Sequence, residues 1–292
     1  MKPAPFQYER PKTLAETLAL LAQKDTDTKI LAGGQSLVPM MNFRLAKPER
    51  LIDINRLPGL DYIRLEGSEI TIGALARHAD VKSSAVVAKH APLMHAAYEW
   101  IAHAAVRNRG TLCGNLCHSD PASEMPAIML VCGATMVIQS QAQTRKVAAA
   151  DFFLGLYETA VKPDEMLVEV RVPIATAGQS FGFEEVSMRK GDYAWALVSC
   201  LATVTAGKFT QVTISAAGIG SKAIRLPAAE QAANGKAATQ ATCDAAGQAA
   251  YDAVQPFGDV ANSAQYRRDL VRALVSRTLA QAAALAPVAK AA

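Results

Sequence analysis

A glycine pair between a short apolar run and a proline constrains this chain more than any other feature. Residues 29–39 are Lys-Ile-Leu-Ala-Gly-Gly-Gln-Ser-Leu-Val-Pro. The apolar start is typical of a strand, and the glycines predict a tight loop, because glycine adopts positive φ without steric cost. Successive backbone N–H groups in such a loop face one way and attract an anion. For a glycine pair alone, a simple strand-ending turn is the alternative.

A second polar segment favours the anion-binding interpretation. Residues 107–126 are Arg-Asn-Arg-Gly-Thr-Leu-Cys-Gly-Asn-Leu-Cys-His-Ser-Asp-Pro-Ala-Ser-Glu-Met-Pro. Glycines with hydroxyl and amide side chains suit a phosphate, and a carboxylate suits a ribose. Two such loops predict a long ligand with more than one phosphate.

Composition excludes several classes of protein. A chain of 292 residues can bury a large core and is expected to form two domains. Its 30 basic and 26 acidic residues are dispersed, so no nucleic-acid or membrane footprint is expected. No apolar run approaches the roughly 20 residues that span a bilayer, and the first residues do not resemble a signal peptide. A cytoplasmic protein is therefore expected, and its five scattered cysteines predict reduced thiols.

Two reactive combinations within the second segment are incomplete. Cys113, Cys117 and His118 resemble part of a metal site, but no second close pair of ligands exists elsewhere to complete four-fold coordination. We therefore expect no metal in this chain. His118, Ser119 and Asp120 are consecutive, whereas a hydrolase triad needs side chains from separate segments. What remains is an apparatus for binding a cofactor that performs its own chemistry.

Hydrophobic periodicity predicts a mixture of helices and strands. Thr13 is a predicted helix N-cap with Glu16 as its capping-box partner. Residues 62–73 have the alternation of a β-hairpin, and residues 77–105 are helical in composition with Trp100 in the core stripe. Further predicted elements are strands at 29–31, 51–54, 134–139 and 167–172, a helix at 127–131, a helical turn from 151, a linker at 173–178, strands at 181–188, 195–205 and 211–217, and a helical tail from 227 with a stripe at 266, 270, 274 and 278.

Three ordered motifs resemble the FAD-binding medium subunits of the molybdenum hydroxylases. This xanthine dehydrogenase and carbon monoxide dehydrogenase family includes the bacterial N-heterocycle dehydrogenases. The matching residues are 32–39, then 108–111 continuing to 120–122, then 189–194. They occur in the family's order, and the resemblance covers nearly the whole chain. It implies an α+β fold of the PCMH type: an FAD-binding domain at 1–177 with subdomains at about 1–57 and 58–177, and a C-terminal domain at 178–292. The C-terminal domain, of the carbon monoxide dehydrogenase flavoprotein type, is expected to be a three-stranded antiparallel sheet covered by helices.

The resemblance also implies roles for individual residues. The backbone of residues 32–37 would cradle the FAD pyrophosphate, and Asp120 would accept hydrogen bonds from the ribose. Tyr193 would lie against the isoalloxazine ring, and Lys190 would place a positive charge near the reduced flavin. The alternatives are a turn-capping carboxylate for Asp120, a core strand aromatic for Tyr193 and a solvated surface lysine for Lys190. The expected FAD-binding residues are Ala32, Gly33, Gly34, Gln35, Ser36, Leu37, Thr111, Gly114, Asn115, Ser119, Asp120, Leu167, Lys190 and Tyr193.

Two positions in the second segment leave questions open. Cys113 stands where a second glycine is usual in the family. If that position needs positive φ, cysteine costs about 1 kcal/mol or more, so the loop is either ordinary in conformation or slightly strained. Glu124 is either a further ligand-binding group or a cap for the helix that follows.

By resemblance, the chain is the FAD-binding electron-transfer subunit of a heterotrimeric molybdenum hydroxylase. A small partner subunit would carry two [2Fe-2S] clusters and pass electrons to FAD. A large molybdopterin subunit would oxidise an N-heterocycle or another small molecule, and two heterotrimers would pair. No residue of this chain is expected to be catalytic, and the substrate and the external electron acceptor are not encoded in recognisable features. A stand-alone FAD oxidoreductase with its own substrate site and a non-enzymatic nucleotide-binding protein are the alternatives.

Overall fold

A three-stranded parallel sheet carries the first glycine segment. The computed structural model describes residues 2–286 of the chain. Its first sheet has the order β1-β3-β2, and the helices that connect these strands alternate with them. The elements are β1 (Gln7–Glu9), α1 (Leu14–Leu21), β2 (Thr28–Leu31), α2 (Leu37–Asn42) and β3 (Arg50–Asp53). The predicted strands at 29–31 and 51–54 therefore form neighbours in one sheet.

The N-terminal cap of α1 differs in detail from the predicted capping box. Thr13 Oγ1 accepts a hydrogen bond from the backbone N–H of Glu16 at 3.1 Å, as predicted. The Glu16 carboxylate, however, accepts the N–H of Lys12 at 2.7 Å, one residue before the cap. Both bonds still satisfy free donors at the helix start.

The second sheet is antiparallel and has five strands in the order β4-β5-β10-β6-β7. The predicted hairpin at 62–73 forms one edge. A separate two-stranded ribbon, β8-β9, lies between β7 and β10 in the chain. The strands are β4 (Ile63–Glu66), β5 (Glu69–Gly73), β6 (Thr135–Gln139), β7 (Thr144–Ala148), β8 (Phe153–Gly155), β9 (Glu158–Thr159) and β10 (Met166–Pro173).

The helical composition at 77–105 corresponds to four short helices. Ser84 ends the first of them and caps the next, and Pro92 begins the third, which explains the interruptions. Trp100 lies in the turn after the third helix and is half-buried against Phe183, so it packs at the edge of the core rather than inside it. The helices of this region are α3 (His78–Ser83), α4 (Ala85–His90), α5 (Pro92–Ala97), α6 (Ala104–Arg107), α7 (Leu112–His118), α8 (Glu124–Cys132) and α9 (Ala149–Phe152).

The C-terminal part is an antiparallel sheet in the order β11-β12-β13-β14. Three of its strands are the predicted ones, and a fourth strand of only two residues extends the expected three-stranded sheet. The elements are β11 (Gln179–Ser187), β12 (Ala194–Thr205), β13 (Lys208–Ala217), β14 (Ile224–Arg225), α10 (Pro227–Ala233), α11 (Gln240–Ala253) and α12 (Ala264–Leu285). Residues 287–292 of the expected C-terminal domain lie outside the described residues.

Helix α12 covers one face of this sheet, as its apolar stripe predicts. Leu274 and Thr278 are fully buried, and Tyr266, although 41% exposed, lies edge-on to the Trp195 ring of β12 with the ring centroids 6.3 Å apart. The approach is close at Gly182 on β11, where a Cβ atom would lie 2.7 Å from the carbonyl carbon of Thr278. Glycine at this position is therefore required for the helix to reach the sheet.

The opposite face of the C-terminal sheet packs against the N-terminal part of the chain. Leu197 and Ala217 share a continuous hydrophobic core with it. Helix α8 is central to this contact, because every residue from 124 to 131 is buried. Ser215 Oγ of β13 donates a hydrogen bond to the Ala127 carbonyl of α8 at 2.8 Å. Residues near the start of α8 are consequently held at the junction of the two parts.

Within residues 2–286, no helix combines the length and the hydropathy that a membrane-spanning segment requires.

Candidate cofactor-binding site

A cleft of about 1650 Å³ is lined by both glycine segments. Ordinary small-molecule pockets are on the order of 300–1,000 Å³, so this cleft has room for an extended ligand. The two segments come from β2 and from the start of α7, and the turn before β12 closes one end. The predicted residues on its wall are Ala32, Gly33, Gly34, Gln35, Ser36, Leu37, Thr111, Gly114, Asn115, Leu167 and Tyr193.

The first glycine segment presents free backbone donors to this cleft. Gly34 has a φ of 72°, the left-handed conformation that the glycine pair predicts. Among the described residues, no protein group accepts a hydrogen bond from the N–H groups of residues 33–36. The chain turns back only at Val38, whose N–H donates to the Gly34 carbonyl at 3.1 Å. A run of free N–H groups on a concave wall fits the pyrophosphate of a dinucleotide.

The two glycine segments touch through their backbones. A Cβ atom on Gly33 would lie 2.6 Å from the Cα of Gly110, closer than real Cβ atoms approach. A Cβ atom on Gly114 would lie 2.7 Å from Thr111 Oγ1 and 3.9 Å from the Cβ of Ala32. Glycine at 33 thus allows the two segments to approach each other, whereas glycine at 114 leaves room for the Thr111 hydroxyl.

The second segment is not a loop throughout, which corrects the prediction. Residues 112–118 form helix α7, with Thr111 as its N-cap. Thr111 Oγ1 accepts the N–H of Gly114 at 3.1 Å, so these two residues, both expected to bind FAD, also form the cap. Glycine has a low helix propensity, so this seven-residue helix depends on the Thr111 cap and on packing.

Cys113 lies in the first turn of α7 and has no positive φ. The position therefore does not need glycine, and the ordinary conformation is the correct one of the two that were open. The side chain is only 3% exposed, and burial raises the pKa of the Cys113 thiol well above its usual value. A shielded, protonated thiol is unreactive.

Asn115 fastens α7 to the segment before α8. Its amide nitrogen donates to Ser123 Oγ at 2.9 Å, and Ser123 Oγ lies 3.1 Å from the Asn115 amide oxygen. This pair fixes the end of the cleft wall at the position where Glu124 begins α8. The Glu124 side chain is 5% exposed, and burial raises the pKa of its carboxyl to about 7.

Asp120 does not line the cleft. It is 8% exposed, and its Oδ1 accepts the backbone N–H of Ala122 at 2.9 Å, which is the turn-capping arrangement that formed the alternative. Its Oδ2 lies 3.5 Å from the Tyr157 hydroxyl and 4.0 Å from His118 Nε2. The two rings stack with their centroids 4.9 Å apart, so Asp120 organises a small cluster at the edge of the site.

Ser119 also shapes the segment rather than the cleft wall. It ends α7 with a φ of 51°, in the left-handed region, and it is 2% exposed. Its hydroxyl is 3.5 Å from the Gly155 carbonyl of β8. The ribose contacts of Ser119 and Asp120 stay predictions, and the contacts in the structure do not supply them.

Tyr193 and Lys190 lie in the same turn but face different surroundings. Tyr193 precedes β12, is 54% exposed and lines the cleft, so it is not an aromatic of the strand core. Lys190 Nζ instead lies 5.5 Å from the centre of the Trp100 ring and 3.8 Å from Glu99 Oε2. The position of Lys190 matches the surface-lysine alternative.

Leu167 is a buried residue of β10 that reaches the cleft. The pairing of β10 with β6 shifts between Leu167 and Glu169. Such a bulge leaves one residue outside the regular ladder and redirects the backbone. The strand was predicted correctly, but its bulge was not.

Three stretches of the wall were not predicted from the sequence. Residues 157–159 and 161–167 approach from β9 and the start of β10, residues 101–103 and 106 come from the connection to α6, and residues 21, 23–24 and 26–30 come from the end of α1 and from β2. Only Leu167 among them was predicted. They carry no local motif, because the packing of the elements brings them to the cleft. Within residues 2–286, no cluster of three or more histidine, cysteine, aspartate or glutamate side chains is arranged for a metal ion.

Two family profiles match the chain. The FAD binding domain in molybdopterin dehydrogenase matches residues 4–175, and the CO dehydrogenase flavoprotein C-terminal domain matches residues 181–282. Together they cover the cleft and the sheet that closes it. The free N–H groups of residues 33–36 and the size of the cleft fit FAD on structural grounds.

Similar proteins span the same length. Subunit alpha of the 6-hydroxypseudooxynicotine dehydrogenase complex of Paenarthrobacter nicotinovorans is 40% identical over 97% of this chain and 96% of its own. The medium chain of carbon monoxide dehydrogenase of Hydrogenophaga pseudoflava is 37% identical over 96% of this chain and 97% of its own.

Solved structures agree with these relatives. A structure of the Hydrogenophaga pseudoflava carbon monoxide dehydrogenase superposes with a TM-score of 0.95 at 39% identity, covering 98% of this chain and 100% of that one. Quinoline 2-oxidoreductase of Pseudomonas putida 86 gives 0.93 at 35% identity, covering 97% and 99%. The chain therefore belongs to the FAD-binding medium subunits of the molybdenum hydroxylases, a family of dehydrogenase subunits.

Proposed function

We propose that this chain is the electron-transfer subunit of a heterotrimeric molybdenum-containing dehydrogenase. It takes electrons from two [2Fe-2S] clusters of a small partner subunit and passes them to an external acceptor. A large molybdopterin subunit oxidises the substrate. The observation that carries the proposal is the row of free N–H groups at residues 33–36, held against the second glycine segment in a cleft large enough for FAD.

In this proposal the protein binds and orients FAD. The donors of residues 33–36 hold the pyrophosphate, supported by Thr111 and Gly114. Tyr193 packs on one face of the flavin ring, since an exposed aromatic side chain at the cleft mouth offers a flat surface. Bound FAD supplies the ability to accept electrons singly and release them in pairs. No side chain of this chain needs to act on the substrate.

The proposed substrate is an N-heterocycle or a related small molecule. The relatives named for such compounds include the 6-hydroxypseudooxynicotine dehydrogenase, nicotine 6-hydroxylase and caffeine dehydrogenase subunits. Others are named for carbon monoxide and glyceraldehyde, so the substrate is chosen outside the features of this chain. We assign the choice to the large subunit.

The assembly and its location follow the same proposal. We infer a dimer of heterotrimers in the cytoplasm, with the chain divided near residue 177 into an FAD-binding domain and a C-terminal domain. The proposed division falls between β10 and β11, where residues 174–178 connect the two sheets. The subdomain boundary near residue 57 falls between β3 and β4.

Absorption spectroscopy tests the proposal directly. The chain is produced alone and together with the products of its neighbouring genes, and the released cofactor is identified after denaturation. We expect FAD in both preparations and iron–sulfur absorbance only in the complex. A colourless protein that takes up no FAD would refute the proposal. Turnover of an organic donor by the isolated chain would instead support a stand-alone oxidoreductase.

Glycine variants show whether FAD uses the predicted cleft. Gly33→Ala places a Cβ atom against the second segment, whereas Gly220→Ala meets only a carbonyl oxygen at 3.9 Å and is the matched control. We expect loss of FAD from the first variant alone. Equal FAD content in the two variants would place the cofactor elsewhere.

A further inference from the structure

Glu185 is a buried acid without a hydrogen-bond partner. It is 5% exposed, and among the described residues neither carboxylate oxygen is hydrogen-bonded. Its neighbour Glu184 faces the opposite side of β11 and pairs with Arg277 of α12 at 2.9 Å. An isolated carboxylate is strongly destabilised in such surroundings, so Glu185 is expected to hold a proton.

The sheet register places Glu185 beside the start of α8. The N–H of Ala194 donates to the Ala122 carbonyl at 3.3 Å, and Ala194 pairs with Ser187. Glu185 pairs with Leu197 of β12, and Leu197 belongs to the core shared with the N-terminal part, so Glu185 lies on the face of the sheet that packs against that part. Glu124 begins α8 two residues after Ala122. Both acids therefore lie where the C-terminal sheet packs against the N-terminal part of the chain, and Glu124 is also on the wall of the cleft.

Among the described residues, no lysine or arginine of the helices packed against this face compensates the pair. The helices packed against this face are α5 and α8, whose nearby titratable groups are Glu124, His95 and the buried Tyr98 at the end of α5. Across residues 2–286, neither acid forms an ion pair. Burial, together with the charge of Glu124, raises the pKa of Glu185. Two buried acids that interact without a cation disfavour the state in which both are ionised.

We propose that Glu185 and Glu124 form a proton acceptor whose protonation is coupled to the reduction of FAD bound in the cleft. The proposal rests on the proposed function. Near neutral pH the pair carries one proton. Glu124 lies on the cleft wall, so negative charge that enters the flavin disfavours its anionic form, and the pair takes a second proton from solvent.

Charges and protons balance in this scheme. Bound FAD would supply a two-electron acceptor that takes up one solvent proton when reduced by the partner's iron–sulfur clusters, which would add one negative charge to the cleft. The acid pair takes up one more solvent proton, so two electrons enter with two protons. When the external acceptor removes the two electrons, both protons return to solvent. Glu185 stabilises the charge through Glu124 and is a positioning residue rather than a catalytic one.

The pH dependence of the FAD midpoint potential tests this proposal. Each proton coupled to two electrons contributes about 30 mV per pH unit, since a tenfold change in equilibrium constant corresponds to 29.6 mV. We expect the slope near neutral pH to become shallower by up to about 30 mV per pH unit in Glu185→Gln. Glu184→Gln changes the neighbouring acid on the other face and is expected to keep the original slope. Equal slopes in all three proteins would overturn the proposal.

Infrared spectroscopy provides a readout that does not depend on activity. The protein without FAD is expected to show a protonated carboxylic acid band near neutral pH that is absent in Glu185→Gln and present in Glu184→Gln. If Glu185→Gln does not fold, growth of this band on reduction of the FAD-loaded wild-type protein decides the question, and no growth refutes the proposal. Failure to bind FAD would refute the proposed function, whereas FAD binding with unchanged slopes would refute this inference alone.

Discussion

Gly33 and Gly110 are in backbone contact: a Cβ atom on Gly33 would lie 2.6 Å from the Cα of Gly110. This contact joins a loop that follows a parallel strand to the segment that starts α7. The free N–H groups of residues 33–36 and the N-terminal turn of α7 consequently share one cleft. The geometry of the proposed FAD site depends on this approach.

Gly33→Ala is therefore expected to weaken FAD binding by at least about tenfold, which corresponds to about 1.4 kcal/mol. The added methyl group meets backbone atoms, which cannot rotate away, so one segment must move. Titration of the protein without FAD, followed by flavin fluorescence, measures the change. Gly220→Ala is expected to bind FAD as the wild type does, and similar losses in both variants would contradict this account.

Thr111→Ala is expected to lose both stability and FAD affinity. Removal of the N-cap of α7 costs about 1 kcal/mol of unfolding free energy, and the wall of the cleft loosens at the same point. Denaturant unfolding and FAD titration measure the two effects.

Thr239→Ala is the control for this prediction. Thr239 caps α11 through the N–H of Thr242, and it does not line the cleft. It is expected to lower stability by a similar amount while FAD affinity is retained. If the two variants lose the same affinity, Thr111 acts only through stability.

The first glycine segment was predictable because its signal is local. A strand followed by Gly33-Gly34 needs only the conformational freedom of glycine, and the structure has Gly34 at positive φ. Helix α7 was not predicted. Gly114 has low helix propensity, and a seven-residue helix depends on its Thr111 cap and on packing.

Side-chain directions have tertiary causes. The resemblance implies ribose contacts for Asp120, which stay a prediction; in the structure its Oδ2 lies 3.5 Å from the hydroxyl of Tyr157, which arrives through the β8-β9 ribbon. No periodicity in either segment reveals that contact. The side chain of Lys190 likewise lies next to Trp100 and Glu99, which are about ninety residues away in the chain. Residue types were informative about the ligand, whereas side-chain directions were set by the packing of distant elements.

The free energy of unfolding is expected to depend on pH through the ionisation of the buried acid Glu185. Burial raises its pKa to about 8 from the model-compound value of 4.5. The folded state therefore holds more protons than the unfolded state between these values, so this acid makes stability fall as the pH rises from about 4.5 to about 8. The full effect is on the order of a few kcal/mol, because one pKa unit corresponds to about 1.4 kcal/mol.

Glu185→Gln isolates this contribution, since an amide does not titrate. Other groups contribute to the total pH dependence in both proteins, so the difference between the wild type and the variant is measured by denaturant unfolding at several pH values. The wild type is expected to lose stability relative to Glu185→Gln as the pH rises. Glu184→Gln is expected to show no such trend, and a flat difference for Glu185→Gln would mean that Glu185 is already ionised in the folded protein.

Cysteine labelling is expected to report occupancy of the cleft. Cys117 is exposed and lines the cleft, whereas Cys113 is buried. Burial raises the thiol pKa of both residues, that of Cys117 to about 12, so a maleimide is expected to modify the accessible Cys117 slowly in the folded protein and Cys113 only after unfolding. FAD at ten times its dissociation constant should slow labelling of Cys117 about tenfold, because only the unoccupied fraction reacts.

Cys132 is half-buried and lies outside the cleft, so its labelling rate is the internal control, measured in the same samples by mass spectrometry. If FAD binds but leaves the Cys117 rate unchanged, the cofactor does not cover this side of α7.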